Sequence, residues 1–530
     1  MDLNKTLYQT IKKIAHENPS STAYDFLGFK KNYTEFFEDI EKCSCFLKDL
    51  GINKGDIVSI YLPNIPQALE LFFAINKIGA VSNFIHPKMP VKSTEKILKK
   101  MNPKAVFLLD EMHEKLQVLK EQSISKQYVI VKISDYLPNK HKYLFRLKEL
   151  YRSLKIKKEE NTKYYNLDNY YHTFEEVVKS KDTATILFTG GTTDNPKGVC
   201  LSNFNLNASA YQTGLNRIKA QPEDKMLAVL PIFHGYGLAN CIYTSFAEAG
   251  EVILLPYFTE KLFAKTIISK KPNYILGVPL LFSKLVELLS AEDVDLSFFK
   301  GLYCGGSKLG EDLLYKINTF LKDKNSDVLL RQGYGLTECV GACTLMPENI
   351  YKKNSVGIPY TGVELKITEA KTGKTLTQNT IGRICIKSNT VMEGYFKNKS
   401  NNIHMDNGQR WLYTDDIGYI DQDGYLYFVD RLNRMVKILG YEVYPSNIEF
   451  LINKIENVSD SCVVESSEEN IKYLKAYVVL INTKLERNTR KKIVKSFKKN
   501  LPKWSIPREI IFIKKMPETL LKKKDYNSLN

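Results

Sequence analysis

The sequence predicts an α/β fold: a large N-terminal domain of helix-covered sheets with a β-rich subdomain, then a small α+β C-terminal domain. Three observations carry this. Short apolar runs alternate with longer helix-like segments across residues 56–332, the pattern of parallel strands covered by helices. Closely spaced strand-and-turn patterns take over after about residue 355. The last hundred residues read as a separate small set of strands and helices.

In chain order, "DIVSIYL" (56–62) reads as a strand and "IPQALELFFAINKIG" (65–79) as a helix. "AVSNF" (80–84) is a strand, a helical stretch starts at Pro90, and "KAVFLL" (104–109) is a strand. The alternation resumes with "TATILF" (183–188), "MLAVL" (226–230), "EVILL" (251–255), "NYILGV" (273–278), "GLYC" (301–304) and "VLLRQ" (328–332), and "PLLFSKLVELLSA" (279–291) is an intervening helix. Further on, "TGK" and Asp423-Gly424 mark turns between strands. The C-terminal part offers a helix from Pro445, strands "SCVVES" and "LKAYVVLI", a charged helix over 486–500 and a final strand "REIIFI" (508–513). The expected domains are 1–430 and 431–530.

The 530 residues are 43% hydrophobic and 25% charged, as in a globular protein with a substantial core. The net charge of +17 favours anionic partners, although Lys scattered among Asn, Ile and Tyr also fits a compositional habit. Charge alone, without an aromatic-basic platform or a recognition motif, gives no nucleic-acid partner. The nine Cys include no Cys-x-x-Cys pair and read as buried thiols. The N-terminus lacks a signal-peptide core, and no apolar run reaches the ~18 residues of a membrane span. The expected compartment is the cytoplasm. Residues 139–158, "NKHKYLFRLKELYRSLKIKK", place Tyr143, Leu144, Leu147, Leu150, Tyr151 and Leu154 on one helical face and Lys and Arg on the other. Two readings stay open: peripheral contact with an anionic membrane, or a docked helix with a solvated polar face.

The strongest local signal is "FTGGTTDNPKG" (188–198). Glycines let consecutive N–H groups converge on an anion, threonines add hydroxyl donors, and Lys197 adds a mobile charge. The Walker pattern is excluded, because Lys197 is followed by Gly198 and Val199. Further motifs follow in order: "LPIFHGYGL" (230–238), "GVPLLFSKLVE" (277–287), "YCGGSKL" (303–309), "QGYGLTE" (332–338), "WLYTDDIGYIDQDGYLYFVDR" (411–431), "KILGYE" (437–442) and "MPETLLKKKDY" (516–526).

Taken together, these resemble the adenylate-forming superfamily of acyl-CoA synthetases, luciferases and peptide-synthetase adenylation domains, over nearly the whole chain. The resemblance implies that Thr189, Gly190, Gly191, Thr192, Thr193 and Lys197 hold the β- and γ-phosphates of ATP. Gly305, Gly306 and Ser307 then line the adenine, Tyr334 and Gly335 form its stacking face, Thr337 bonds the α-phosphate, and Glu338 binds Mg²⁺. Asp416 takes the ribose hydroxyls and Arg431 the ribose and phosphate. Lys523 steadies the attacking carboxylate. The resemblance also implies a mobile C-terminal domain that swings about Asn433 and brings Lys437 and Gly440 to a thiol tunnel. His234 and Tyr236 border the acyl pocket. Four positions depart from the family pattern: Asp194, Asp415, Asn433 and Lys522.

Amino-acid-activating relatives keep an Asp near the acyl motif to hold the α-ammonium, and none lies between Met226 and Gly250. The implied activity is ATP- and Mg²⁺-dependent ligation of a carboxylic acid, a fatty acid first, to the thiol of CoA. The alternatives are an acyl-carrier-protein ligase and a nucleotide-binding member without turnover.

Overall fold

The computed structural model describes residues 2–153, 161–170, 174, 178–189, 196–217, 220–398, 402–439, 441–468, 471–518 and 524–529. The chain falls into two compact units, Met1–Thr189 with Pro196–Glu364 and Lys387–Ile403, and Leu365–Ile386 with His404–Asn530.

The first unit holds two large sheets. Among the described residues one has eight strands, in the order Gly394–Tyr395, Gly198–Ser202, Thr183–Phe188, Val81–Phe84, Ile57–Tyr61, Ala105–Leu109, Gln127–Val131 and Thr162–Tyr164. The other has nine, in the order Ile358–Pro359, Gly341–Leu345, Leu330–Leu336, Gly301–Cys304, Tyr274–Gly277, Lys225–Ala228, Glu251–Leu254, Thr22–Phe26 and Phe29–Asn32. Their central strands run parallel, as the helix–strand alternation predicts; antiparallel pairs close both edges of the nine-stranded sheet and one edge of the eight-stranded sheet, whose other edge pair is parallel. Ala105–Leu109 and Glu251–Leu254 are buried at every position; the first is an unbroken apolar run, and the second is one after Glu251, which pairs with Lys30.

The helix Pro66–Lys77 starts with proline at its first turn, and all of its residues are buried. Phe73 on it packs edge-on against Phe36 and Phe246 at 6.0 and 5.9 Å. Such a helix must satisfy its own charges. Lys77 Nζ lies 2.7 Å from Glu41, and Glu70 accepts from the hydroxyls of Tyr165 (2.6 Å) and Tyr136 (2.9 Å). Burial, with Asp39 nearby, pushes the Glu70 carboxyl up to about 8.

In the second unit, Gln409–Ile420 pairs with Gly382–Ser388 on one side and Leu426–Arg431 on the other, with the expected turn at Gly424 in left-handed conformation. The C-terminal residues form the hairpin Val436–Ile438/Tyr441–Val443 and a sheet of Val458–Glu468, Ile471–Leu480 and Glu509–Ile513. The helices Pro445–Asn453 and Glu486–Asn500 cover it, the second burying Thr489, Ile493 and Phe497 at a spacing of four.

Three findings differ from the sequence expectations. Strand Leu330–Leu336 runs through the glycine-rich motif, which reads in sequence as the loop after a strand. Glycine serves there as a close-approach residue, since a Cβ on Gly335 would overlap the Gly341 carbonyl of the antiparallel neighbour. Tyr236–Tyr243 forms a π-helix, a rare geometry that concentrates at functional sites. The helix Asn139–Ser153 buries Glu149 and exposes Tyr143, Leu150 and Tyr151, three residues of the expected apolar face. None of the nine cysteines forms a disulfide, and every one except Cys200 is buried, as expected. No described helix is long and apolar enough to cross a membrane.

Candidate active site

Four of the sequence motifs sit at the C-terminal ends of four adjacent parallel strands in the nine-stranded sheet. His234 and Tyr236 follow Lys225–Ala228, the Gly-Val-Pro stretch follows Tyr274–Gly277, Gly305–Ser307 follow Gly301–Cys304, and Tyr334–Glu338 end Leu330–Leu336 and begin the next turn. In open α/β sheets this edge is where ligands bind, because loops diverge there and leave a crevice.

The local chemistry explains the shape. Gly305 N donates to Gly277 O at 3.0 Å, fixing the turn, and Gly306 takes a φ of +79°, which leaves Ser307 exposed. Tyr334 is buried on its strand, and its N–H donates to Thr344 Oγ1 at 3.1 Å. Thr337 and Glu338 lie in the one-turn helix Thr337–Cys339, and the next residue, Val340, has a φ of +61°. A β-branched residue in the left-handed region is strained, and such strain persists where the surroundings enforce it. Gly235 packs on this turn, with its Cβ position 3.2 Å from the Val340 carbonyl, so the acyl motif and the Thr-Glu motif abut. The Tyr236 hydroxyl donates to Tyr303 O at 3.1 Å, and its ring faces Gly305. Burial pushes the Tyr236 phenol well above its ordinary range, so it stays neutral. His234 is held by its backbone, donating to Pro231 O and accepting from Leu238 N.

Thr189 and Lys197 close the mouth of the hairpin Thr183–Phe188/Gly198–Ser202 through Thr189 N donating to Lys197 O at 3.1 Å. Gly190, Gly191, Thr192, Thr193 and Asp194 lie outside the described residues. Sequence reasoning missed a residue here. Tyr395, on the short strand beside Gly198–Ser202, donates its hydroxyl to Glu338 Oε1 at 2.9 Å, while Lys197 Nζ stands 4.9 Å from its ring centroid. Tyr395 thus joins Lys197 to the Thr-Glu turn. One tyrosine among 32 gives no sequence signal for that role.

In the second unit, Asp416 and Arg431 are direct cross-strand partners, with Arg431 Nε 3.5 Å from Asp416 Oδ1. Asp416 is buried and Asp415 exposed, as strand alternation requires. The extra acid therefore points away from the pair. Asn433 is exposed in the one-turn helix Leu432–Arg434. Lys437 is exposed on its hairpin opposite Glu442, and Gly440 lies outside the described residues. Arg434, also missed, is the anchor of this segment. Its guanidinium reaches Asp430 (3.4 Å) and Glu449 (2.6 Å) and stacks on Tyr526 at 3.9 Å. Lys522 and Lys523 lie outside the described residues, whereas Lys524 Nζ is held by Asp460 Oδ1 and Ser461 O, each at 2.6 Å.

The described residues hold no cluster of three or more His, Cys, Asp or Glu able to cage a metal. Glu338, a half-buried carboxylate beside the Thr337 hydroxyl, is instead a single hard donor. That set fits Mg²⁺, which typically takes one or two carboxylates and completes its shell with substrate phosphates and water.

The AMP-binding enzyme family model matches residues 11–396, and the AMP-binding enzyme C-terminal domain model matches residues 447–523. Probable 4-coumarate–CoA ligase 3 of Dictyostelium discoideum is 29% identical over 463 residues, covering 86% of this chain and 82% of the relative. The long-chain-fatty-acid–CoA ligase of Bacillus subtilis strain 168 is 28% identical over an alignment of 542 positions, covering 98% of this chain and 93% of the relative. Among solved structures, the anthranilate CoA ligase AuaEII in complex with anthranoyl-AMP matches with a TM-score of 0.84 and 20% identity, over 100% of this chain and 97% of that one. The large N-terminal and small C-terminal parts share the fold of adenylate-forming enzymes. The chain belongs to the AMP-binding enzyme family, within the adenylate-forming superfamily that its motifs resemble.

Proposed function

We propose that this protein is an ATP-dependent acid–thiol ligase that activates a hydrophobic carboxylic acid as acyl-AMP and passes it to the thiol of CoA. The observation that carries the reading is the set of motifs at four neighbouring strand ends, tied to the phosphate-loop lysine through Tyr395 and Glu338. Relatives that ligate aryl and fatty acids to CoA support it.

In the first step a carboxylate oxygen attacks the α-phosphorus of ATP, and the bond to pyrophosphate breaks. Thr189 to Thr193 and Lys197 hold the departing phosphates, Thr337 bonds the α-phosphate, and Tyr334 with Gly305–Ser307 receives adenine. Glu338 holds Mg²⁺, which offsets phosphate charge when bound. Asp416 and Arg431 take the ribose, their mutual contact presetting both side chains. Lys523 offsets the charge developing at phosphorus. The commitment of Lys524 to Asp460 and Ser461 supports leaving this role to a neighbour in the lysine run. In the second step the thiol attacks the acyl carbonyl and AMP leaves. A boundary at 430/431 with a swivel at Asn433 serves the change between steps, and Lys437 acts in the second.

The acid lacks an α-ammonium. The one acidic residue between Met226 and Gly250, Glu248, is ion-paired to buried Arg217 and so does not serve an amine. With the neutral Tyr236 phenol turned to a backbone carbonyl, the pocket suits an apolar acyl group, a fatty acid first and an aryl acid as the rival. The outward side chain of Asp415 speaks against a degenerate nucleotide binder. ATP–pyrophosphate exchange over short, medium, long-chain and aromatic acids tests the reading. Exchange with one class, lost in Lys523→Ala, is the expected result. ATP binding without exchange for any acid contradicts it. Offering CoA and an acyl carrier protein to the adenylate then identifies the acceptor.

A further inference from the structure

We propose that the helix Asn139–Ser153 is a docking surface for anionic lipid membranes. This stands apart from the ligase reading and rests on the orientation of the helix. An amphipathic helix on a globular protein ordinarily turns its apolar stripe inward. Here the inward anchors are polar. The buried Glu149 carboxylate accepts from Ser134 N at 3.0 Å and Ser134 Oγ at 2.5 Å, and Arg152 reaches Asp110 at 3.4 Å and Glu111 at 3.5 Å. The outward face carries Tyr143, Leu150 and Tyr151, which are 78%, 62% and 64% exposed. A spacing of seven and eight residues puts the three on one side of the helix.

Cations border that stripe. Arg146 and Lys148 are exposed, Arg146 standing 3.6 Å from Asp135. Within the helix five Lys or Arg face a single acid, Glu149. Large apolar side chains grouped on a surface mark an interaction site. Three of them fall far short of the ~800 Å² per partner of a stable protein interface. They do suit shallow insertion at a headgroup boundary, where tyrosine is at home and flanking cations meet anionic lipid. A contrast lies within the same chain. The helix Glu486–Asn500 is more basic, with seven Lys or Arg against one Glu, yet Val494 is its one large exposed apolar side chain. It offers charge without a stripe to insert.

The test is co-sedimentation of the full chain with phosphatidylcholine vesicles, with and without phosphatidylglycerol. Wild type should bind the anionic vesicles and release them in high salt. The triple variant Tyr143→Ser/Leu150→Ser/Tyr151→Ser should lose about tenfold or more in partitioning, and Arg146→Glu/Lys148→Glu a similar amount. Lys491→Glu/Lys495→Glu should stay within about twofold of wild type, since charge without a stripe gives weak binding. Leu150→Trp supplies a readout that does not depend on the triple variant folding: its emission should shift to the blue on anionic vesicles. The proposal is overturned if wild type stays in the supernatant, if the triple variant binds as wild type does, or if the Lys491/Lys495 variant loses as much as the triple. It is equally overturned if Leu150→Trp emission is unchanged by vesicles, or if the triple variant turns a vesicle-free oligomer into a monomer, which would make the face a protein interface.

Discussion

In the first unit the proposed substrate-handling residues hang from buried parallel strands. Tyr334 is packed into its sheet, Gly335 admits the neighbouring backbone, and Val340 is held in a strained conformation beside Glu338. In the second unit the corresponding residues ride on antiparallel ribbons with a face to water. Arg431, Asn433 and Lys437 are exposed, and one half-buried cation, Arg434, ties the segment down. The contrast separates two tasks. Groups that must not move are built into sheet ends, where any shift disturbs many packed atoms. Groups proposed to exchange roles between steps sit on turns secured by few, polar contacts.

The sharpest way to break this contrast is Arg434→Met. Asp430 and Glu449 would be left buried without their cation, a loss of about 3–5 kcal/mol when one partner of a buried pair is removed. Denaturant unfolding of the variant should show that loss in the second unit, with the first unit unchanged. An equal loss in both units would contradict a local anchor. Next in size is Glu338→Gln, which keeps shape and removes charge. Pyrophosphate exchange should fall about 10²–10³-fold, the scale of losing one preorganised electrostatic contact, at an unchanged melting temperature. Retained exchange would remove Glu338 from the chemistry. Tyr395→Phe removes the phenol that donates to Glu338 and should lower exchange about tenfold, the equivalent of one modest hydrogen bond. A wild-type rate would mean that Tyr395 only packs.

A further effect, on stability rather than turnover, concerns Glu70. The folded protein keeps its proton up to about 8, while the unfolded chain releases it near the ordinary 4.5. The native state therefore holds the extra proton between those values, and its stability falls as pH rises across that window. Glu70→Gln should flatten the decline between about pH 5 and 8. Melting temperatures of the two proteins over that range decide it, and parallel curves would show that Glu70 does not titrate there.

How legible all this was differs by region. Strands of the first unit such as Ala105–Leu109 are unbroken apolar runs, and Pro66, Pro279 and Pro445 open helices where the sequence suggested. The motif residues were legible because glycines, hydroxyls and one lysine cluster within a few positions. Tyr395 and Arg434 were not, since each matters through partners far away in sequence: Glu338 for one, Glu449 and Tyr526 for the other. The helix Asn139–Ser153 shows a third kind of limit. Periodicity reveals a stripe but not its direction, and here polar anchors at Ser134 and Asp110 decide which side looks outward. The glycine-rich strand misleads for a related reason: Gly335 reads as a loop residue until its neighbour at Gly341 is seen.

The proposed ligation turns on attack by a carboxylate oxygen on the α-phosphorus of ATP. It is tested most directly by supplying the best acid from the exchange panel labelled with oxygen-18 in its carboxylate, then analysing the nucleotide after thioester formation. The AMP should carry one labelled oxygen and inorganic pyrophosphate none. Label in inorganic phosphate with ADP as the nucleotide product would place the attack on the terminal phosphorus and contradict it.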